Sequence, residues 1–309
     1  AGVKVFDSAT VDTNILLFSQ EPNQHKTLCT CASKQDKNSI KNLSVFVQQN
    51  AVSNNFATSD SWVILSPIER SIKRKIESIG TPLKDWDIQI NYGIKTGSNE
   101  AFIISTEKRN EILANCANEA ERQRTAELIR PILRGRDIKR YGYMDNGLYL
   151  INIHNGIRGR IPRIKIEDYP AVKAHLDQYW DKIEKRADQG DTPYNLRNCA
   201  YLEDFSKPKL FYPDISQNLT FALCQEKVFC NNTVYFFSSK SEKLLEYLAS
   251  VLNTKLMDWY YRTISVQLGS CAVRMFSIYV LNLPVPKKVS GSLYETLSLT
   301  KEEIAFIES

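Results

Sequence analysis

Residues 86 to 104 constrain the fold most tightly. Trp86, Ile88, Ile90 and Tyr92 alternate with polar residues, the period-two signature of a half-buried strand, and Ala101 to Ile104 reads as a second short strand. Between them run Gly93-Ile94-Lys95-Thr96-Gly97-Ser98-Asn99-Glu100, two glycines four residues apart with small polar residues interleaved. Glycine reaches positive φ and lets another backbone approach closely, and the polar residues offer hydrogen bonds at a tip. The local expectation is a tight hairpin with a polar tip.

The remaining elements follow from caps and periodicity. Ser66-Pro67-Ile68-Glu69 has the spacing of a capping box and predicts a helix to about Ile79, stopped at Gly80. Thr106 is read as the cap of a helix from Glu107 to about Ala117, and Glu119 to Ile129 as a second helix ending before Pro131. Tyr169 to Arg186 predicts one long amphipathic helix, with Val172, Leu176, Tyr179, Trp180 and Ile183 on its buried stripe and His175 on its polar face. Strands are expected at Leu148 to Ile153, Lys209 to Tyr212, Thr220 to Cys224, Thr233 to Phe237 and Ile278 to Leu283. Ser241 and Asn253 bracket a helix from Glu242 to Leu252, and a second runs from Lys255 to Ile264.

Nearer the start, Val3 to Phe6 and Thr13 to Phe18 read as two strands, and residues 19 to 61 are too polar to carry a core of their own. The mixed order of elements, without internal repeats, points to an α+β chain: a mixed β-sheet recognition domain with flanking helices. The expected organisation is a hairpin and linker at 1–61, a recognition domain at 62–288 and a tail helix at 289–309.

Several function classes are excluded. No run of 18 apolar residues exists, so no membrane span is expected. The chain opens on Ala1 without a secretory signal and reads as a piece of something longer. Seven scattered cysteines without a CxxC pair fit a reducing, cytoplasmic compartment. His25, Cys29 and Cys31 have poor ligand spacing, so no metal site is expected. P-loop, GxGxxG, HExxH and GxSxG motifs are missing, and His154 and His175 are read as structural or exposed. Thr192-Pro193-Tyr194-Asn195 lacks the second proline of the (N/D)PP(Y/F) run with which an amino methyltransferase holds a flipped adenine. No catalytic residue and no bound cofactor are expected here.

Charge is distributed unevenly. From Glu121 to Lys165 there are eleven Lys/Arg against four acids, a local surplus of seven on a chain whose whole net charge is +5. Such a concentrated basic zone is the footprint of a polyanion site. Arg130, Arg134, Arg136, Arg140, Arg158, Arg160, Arg163 and Lys95 are the candidates for DNA phosphates. Base edges need bidentate or small polar groups, for which Ser98, Asn99, Asn155, Asn195, Arg197, Asn198, Asn218, Asn231, Gln267 and Arg274 are candidates.

Taken in order, Gly93 to Phe102, Ile129 to Tyr141 (Ile-Arg-Pro-Ile-Leu-Arg-Gly-Arg-Asp-Ile-Lys-Arg-Tyr), Lys207 to Asp214, Leu252 to Leu256 and Tyr279 to Pro286 resemble the hallmark segments of TaqI-like C-terminal specificity domains. Phe6 to Leu17 is similar to the last hairpin of the methyltransferase domain that precedes such domains. The resemblance implies target recognition on double-stranded DNA within bacterial type IIG restriction-modification or adenine-N6 DNA methyltransferase enzymes. It also implies an upstream methyltransferase domain of the same polypeptide as partner, with S-adenosylmethionine as the cofactor of that upstream domain. A type I specificity subunit or half-subunit is the first alternative; its similar domains are joined by long helical spacers, against which the short tail after Pro286 argues, and an unrelated nucleic-acid-binding enzyme is the second.

Overall fold

The computed structural model describes residues 13–22, 24–32, 34–56, 62–265, 267–268 and 272–309. Among them, two four-stranded sheets are built from Gln89–Tyr92 (β1), Ile103–Ser105 (β2), Ile129–Leu133 (β3), Leu148–Ile151 (β4), Lys209–Pro213 (β5), Ala222–Cys224 (β6), Phe229–Cys230 (β7) and Val234–Ser238 (β8). One sheet has the order β6-β5-β8-β1 and is antiparallel throughout, with Phe211 opposite Phe236 and Tyr92 opposite Tyr235. The other has the order β7-β3-β4-β2, with one parallel pair between β7 and β3. This is a mixed α/β architecture.

The β5 sequence Leu210-Phe211-Tyr212 is apolar on both sides, and every residue of β5 is buried. A strand covered on both faces loses the alternation that a half-exposed strand keeps. Phe211, Ala222, Cys224 and Phe236 face one way, into a core shared with Ile129, Ile132, Leu150 and Ile151 of the second sheet and with Val172 and Leu176. Leu210, Tyr212 and Phe237 face the other way. They meet Leu245 and Leu248 of helix Glu242–Leu252, Met257 and Tyr261 of helix Lys255–Ile264, and Ile72 and Ile76 of helix Pro67–Ile79. Each such side chain contributes roughly 1.5–3 kcal/mol by leaving water.

The helical layer closes through caps and pairs. Ser66 and Glu69 form the expected capping box, and Ser241 and Thr254 each accept a backbone N–H at their helix starts. The last helix, Lys301–Glu308, packs back onto the layer: Lys75 Nζ lies 2.7 Å from Glu303, Lys255 Nζ lies 2.9 Å from Glu308, and Ile307 is buried.

Several local expectations give way to tertiary context. The two strands around Gly93 to Phe102 do not form a hairpin: β1 is an edge of the first sheet and β2 an edge of the second. The glycine segment is a crossing between sheets. At Gly93 a Cβ would stand 2.0 Å from the Asn231 carbonyl oxygen, and Gly97 has φ +67°, so the glycines serve this close passage. Asn99–Phe102 is a short helix rather than a strand start.

The helix expected over Tyr169 to Arg186 is two, Pro170–Asp177 and Trp180–Ile183; one apolar stripe runs across the break and conceals it. His175 is buried, not on a polar face, with Nε2 3.0 Å from the Ala101 carbonyl. Ser105, not Thr106, caps helix Thr106–Ala114, while the Thr106 hydroxyl donates to the Gly147 carbonyl. Ser277–Val280 is helical where a strand was expected, and the following Pro284–Val285 pairs with Thr81–Pro82. Leu43–Asn50 is a helix between two short paired strands, Thr27–Cys29 and Val52–Asn54. Thr13 to Phe18 forms no strand among the described residues, and Leu17 is 89% exposed; the strand expected at Val3 to Phe6 lies outside the described residues.

Candidate nucleic-acid interface

The second sheet ends in long loops that gather at one place. The chain leaves β4 into Asn155 to Arg163, which turns back on itself through an Ile157–Ile161 bridge, with Gly156 and Gly159 both at positive φ. Facing it is the segment from Asp188 to Ala200. Together they line an open cavity of about 750 Å³ with Asn155, Arg158, Arg160, Arg163, Asp191 and Asn198 on its wall. Five residues singled out from the sequence therefore share one concavity.

Within it the amides are already engaged. Asn155 Nδ2 donates to Asp191 Oδ1 at 2.9 Å and also to Asn198 Oδ1, while Asn155 Oδ1 accepts the Asp191 N–H at 2.9 Å. Arg163 reaches Asp191 at 3.4 Å, and Arg160 pairs with Glu203. Exposed pairs of this kind are worth about 0–1 kcal/mol, so both guanidiniums exchange a carboxylate for a phosphate at little cost. Arg158 is exposed and, among the described residues, makes no ion pair. Arg197 stands nearby, 3.0 Å from Asp188. Cys199 also lines the cavity, but burial pushes its thiol up to about 11, so it stays a neutral thiol. Burial lowers the His154 pKa, and its Nδ1 accepts the Gly156 N–H at 3.1 Å. The lining thus combines neutral groups with arginines.

Arg186 fixes this arrangement, and sequence reasoning passed it over. It is only 6% exposed. Its guanidinium donates to the carbonyls of Thr96 at 2.5 Å, Pro193 at 3.1 Å, Asn195 at 2.5 Å, and Asp188, with its plane over Phe102. Burial lowers its pKa to about 10, against the attraction of Asp188. One buried cation thus ties the Gly97 crossing to the 188–195 loop. Lys95, Ser98 and Asn99 consequently border the same region: Lys95 sits over the Tyr92 ring at 5.6 Å, and Asn99 accepts from Thr96 at 2.7 Å. Asn195 is 2% exposed, bonded to the Ile164 carbonyl and the Thr192 hydroxyl, which makes it a strut of the loop.

The other basic residues form a second cluster. Arg134 donates through Nε and Nη2 to Asp137 at 3.1 and 3.2 Å, and Asn146 adds a bond of 2.7 Å to the same carboxylate. Burial opposes ionisation of Asp137, but these donors outweigh it and hold the carboxyl below its usual range. Arg134 is thereby engaged in closing a turn, whereas Arg136, Lys139 and Arg140 are exposed. The turn abuts Thr233, whose hydroxyl accepts the Gly135 N–H at 2.8 Å and donates to the buried Asn231 side chain at 2.6 Å. Asn231 in turn lies against Gly93, so the two clusters meet at the crossing.

Arg130 is half-buried within β3, and Asn218 is exposed on the loop before Phe221. Arg274 lies 4.0 Å from Asp214 and over the Phe276 ring. The Gln267 side chain lies outside the described residues. The Arg-Gly-Arg-Asp spacing at Arg134 to Asp137 was a readable signal for that turn; nothing local announces the role of Arg186.

Comparison with known proteins bears on what such a surface is for. The chain is similar to the type II methyltransferase M.BanIII of Aneurinibacillus aneurinilyticus, 23% identical over 220 residues, which is 69% of this chain and 37% of that protein. It thus spans little more than a third of that relative. Among solved structures it resembles the type IIG restriction endonuclease BpuSI, with a TM-score of 0.47, 16% identity and coverage of 78% of this chain and 28% of that one. It also resembles the type IIL restriction-modification enzyme MmeI in complex with DNA, with a TM-score of 0.47, 14% identity and coverage of 84% and 31%. Residues 130–285, just over half of the chain, match the TaqI-like C-terminal specificity domain, and the chain belongs to that family.

Proposed function

We propose that this chain reads double-stranded DNA for a bacterial restriction-modification enzyme and positions an adenine-N6 methyltransferase domain of the same polypeptide in the cytoplasm. The observation that carries this reading is the cavity in which Arg158, Arg160 and Arg163 surround Asn155 and Asn198. Guanidiniums grip the phosphate backbone and fix register. Amides and further arginines have the donor and acceptor pattern that base edges in the major groove require. Family membership and the relation to a type II methyltransferase support the same conclusion.

S-adenosylmethionine is assigned no residue here. We place that cofactor, and the methyl transfer it serves, in the upstream methyltransferase domain.

The test is titration of the 309-residue chain with labelled mixed-sequence duplex DNA across a series of salt concentrations. Affinity is expected to fall linearly with salt on logarithmic axes, by about one unit of slope per phosphate contact. Salt-insensitive or absent binding contradicts the reading.

A further inference from the structure

Tyr141 stands out in the second basic cluster. Among the described residues it is one of three non-glycine residues at positive φ, at +68°, and it is 61% exposed. It occupies the second position of a two-residue turn, Arg140-Tyr141, closed by the pairing of Ile138 with Tyr143 and Lys139 with Gly142. A turn with positive φ at that position belongs to glycine or asparagine, because a Cβ there crowds the following carbonyl. The turn is nonetheless held firmly: the Tyr141 N–H donates to the Phe221 carbonyl at 3.0 Å, and the Tyr143 hydroxyl donates to Glu226 at 3.1 Å. The Tyr141 side chain belongs to neither apolar core, so glycine at the strained position would cost little in packing.

An aromatic side chain at a strained tip, projecting into solvent among Arg136, Lys139 and Arg140, adds nothing to the core. Backbone strain of this kind persists where function uses it. Resting on the DNA reading above, we propose that Tyr141 is a stacking residue, which packs its ring against a base left without its partner while the flanking cations hold the adjacent phosphates. A base removed from the duplex for modification leaves an orphan partner and an unstacked step, and an aromatic face is a sequence-tolerant platform for it. The charge around the ring fits DNA and opposes an acid-seeking apolar partner; the ring supplies what the arginines lack.

The experiment compares two duplexes of one sequence, fully paired and with a single abasic site opposite thymine, against the wild-type chain and its Tyr141→Gly and Tyr141→Phe variants. Wild type and Tyr141→Phe are expected to bind the abasic duplex roughly tenfold tighter than the paired one, and Tyr141→Gly to lose that preference. Because glycine relieves the turn, Tyr141→Gly is expected to unfold at the same temperature as wild type or above it, which separates lost stacking from lost structure. If Tyr141→Gly keeps the preference, or wild type binds both duplexes equally with normal salt dependence, the stacking role is overturned and the DNA reading stands. If neither duplex binds at low salt, both fall together.

Discussion

The two sides of the central sheet solve different problems. On one side the helices Pro67–Ile79, Glu242–Leu252, Lys255–Ile264 and Lys301–Glu308 close over Leu210, Tyr212 and Phe237 with capped ends and an apolar seam. On the other, a second sheet carries long loops, and its interior is threaded with buried polar groups: Arg186, His175, Glu121, Asn195, Asp204 and Asn231. Glu121 alone accepts from the amides of Ala117 and Ala171 at 2.8 and 3.1 Å, joining two helices. Loops have no ladder of their own, so buried side chains must satisfy their backbone groups. The helical side is built for stability and the loop side for holding a surface in place.

Substitutions on the two sides should separate these roles. The largest loss of stability is expected from Phe237→Ala, about 4 kcal/mol for a large aromatic removed from a packed core. Denaturant unfolding should report it, while the salt dependence of DNA binding by the folded fraction stays unchanged. Next, Arg186→Met removes the donor shared by four carbonyls and should cost about 3 kcal/mol. Unlike Phe237→Ala, it should also raise proteolytic cutting between Asp188 and Asn198, because the loop loses its tie to the crossing. Equal proteolysis of the two variants would deny the loop side its special dependence on polar ties.

A smaller effect is expected at Asp137. Its folded-state carboxyl is held below the ordinary carboxylate pKa, so the unfolded chain binds the proton more readily. Its stabilisation is therefore complete above the ordinary carboxylate pKa and is lost as pH falls through the folded value. Asp137→Asn should cost about 2 kcal/mol at neutral pH and flatten the acid limb of a stability profile. An unchanged acid limb would contradict the role given to the Arg134–Asp137 pair.

What could be read from the sequence follows the same division. The helical side announced itself: Ser66 and Glu69 marked one helix, and Ser241 and Asn253 bracketed another at the observed residues, because caps and 3.6-residue periodicity are local. The loop side depends on partners distant in sequence. Alternation through Trp86 to Tyr92 marked a strand but could not say that it pairs with Val234–Ser238, so a crossing passed for a hairpin. Asn195 and Asn231 have the composition of base readers and are buried struts. Lys209 read as an ordinary strand residue, yet it is fully buried with Nζ bonded to two carbonyls at 2.8 Å, and burial lowers its pKa. Of the arginines, the sequence showed the concentration but not which ones close turns and which face solvent.

The claim that the loop side alone meets DNA is tested most directly by charge-matched variants. One triple variant replaces Arg158, Arg160 and Arg163 with alanine; the other replaces Lys243, Lys287 and Lys288, exposed residues of the helical side and the segment leading to the tail. Each removes the same charge, and the quantity measured is the slope of log affinity for duplex DNA against log salt. The arginine variant is expected to lose up to about three units of slope, roughly one per phosphate contact, and the lysine variant to keep the wild-type value. Equal losses in both, or a loss confined to the lysine variant, would contradict the account.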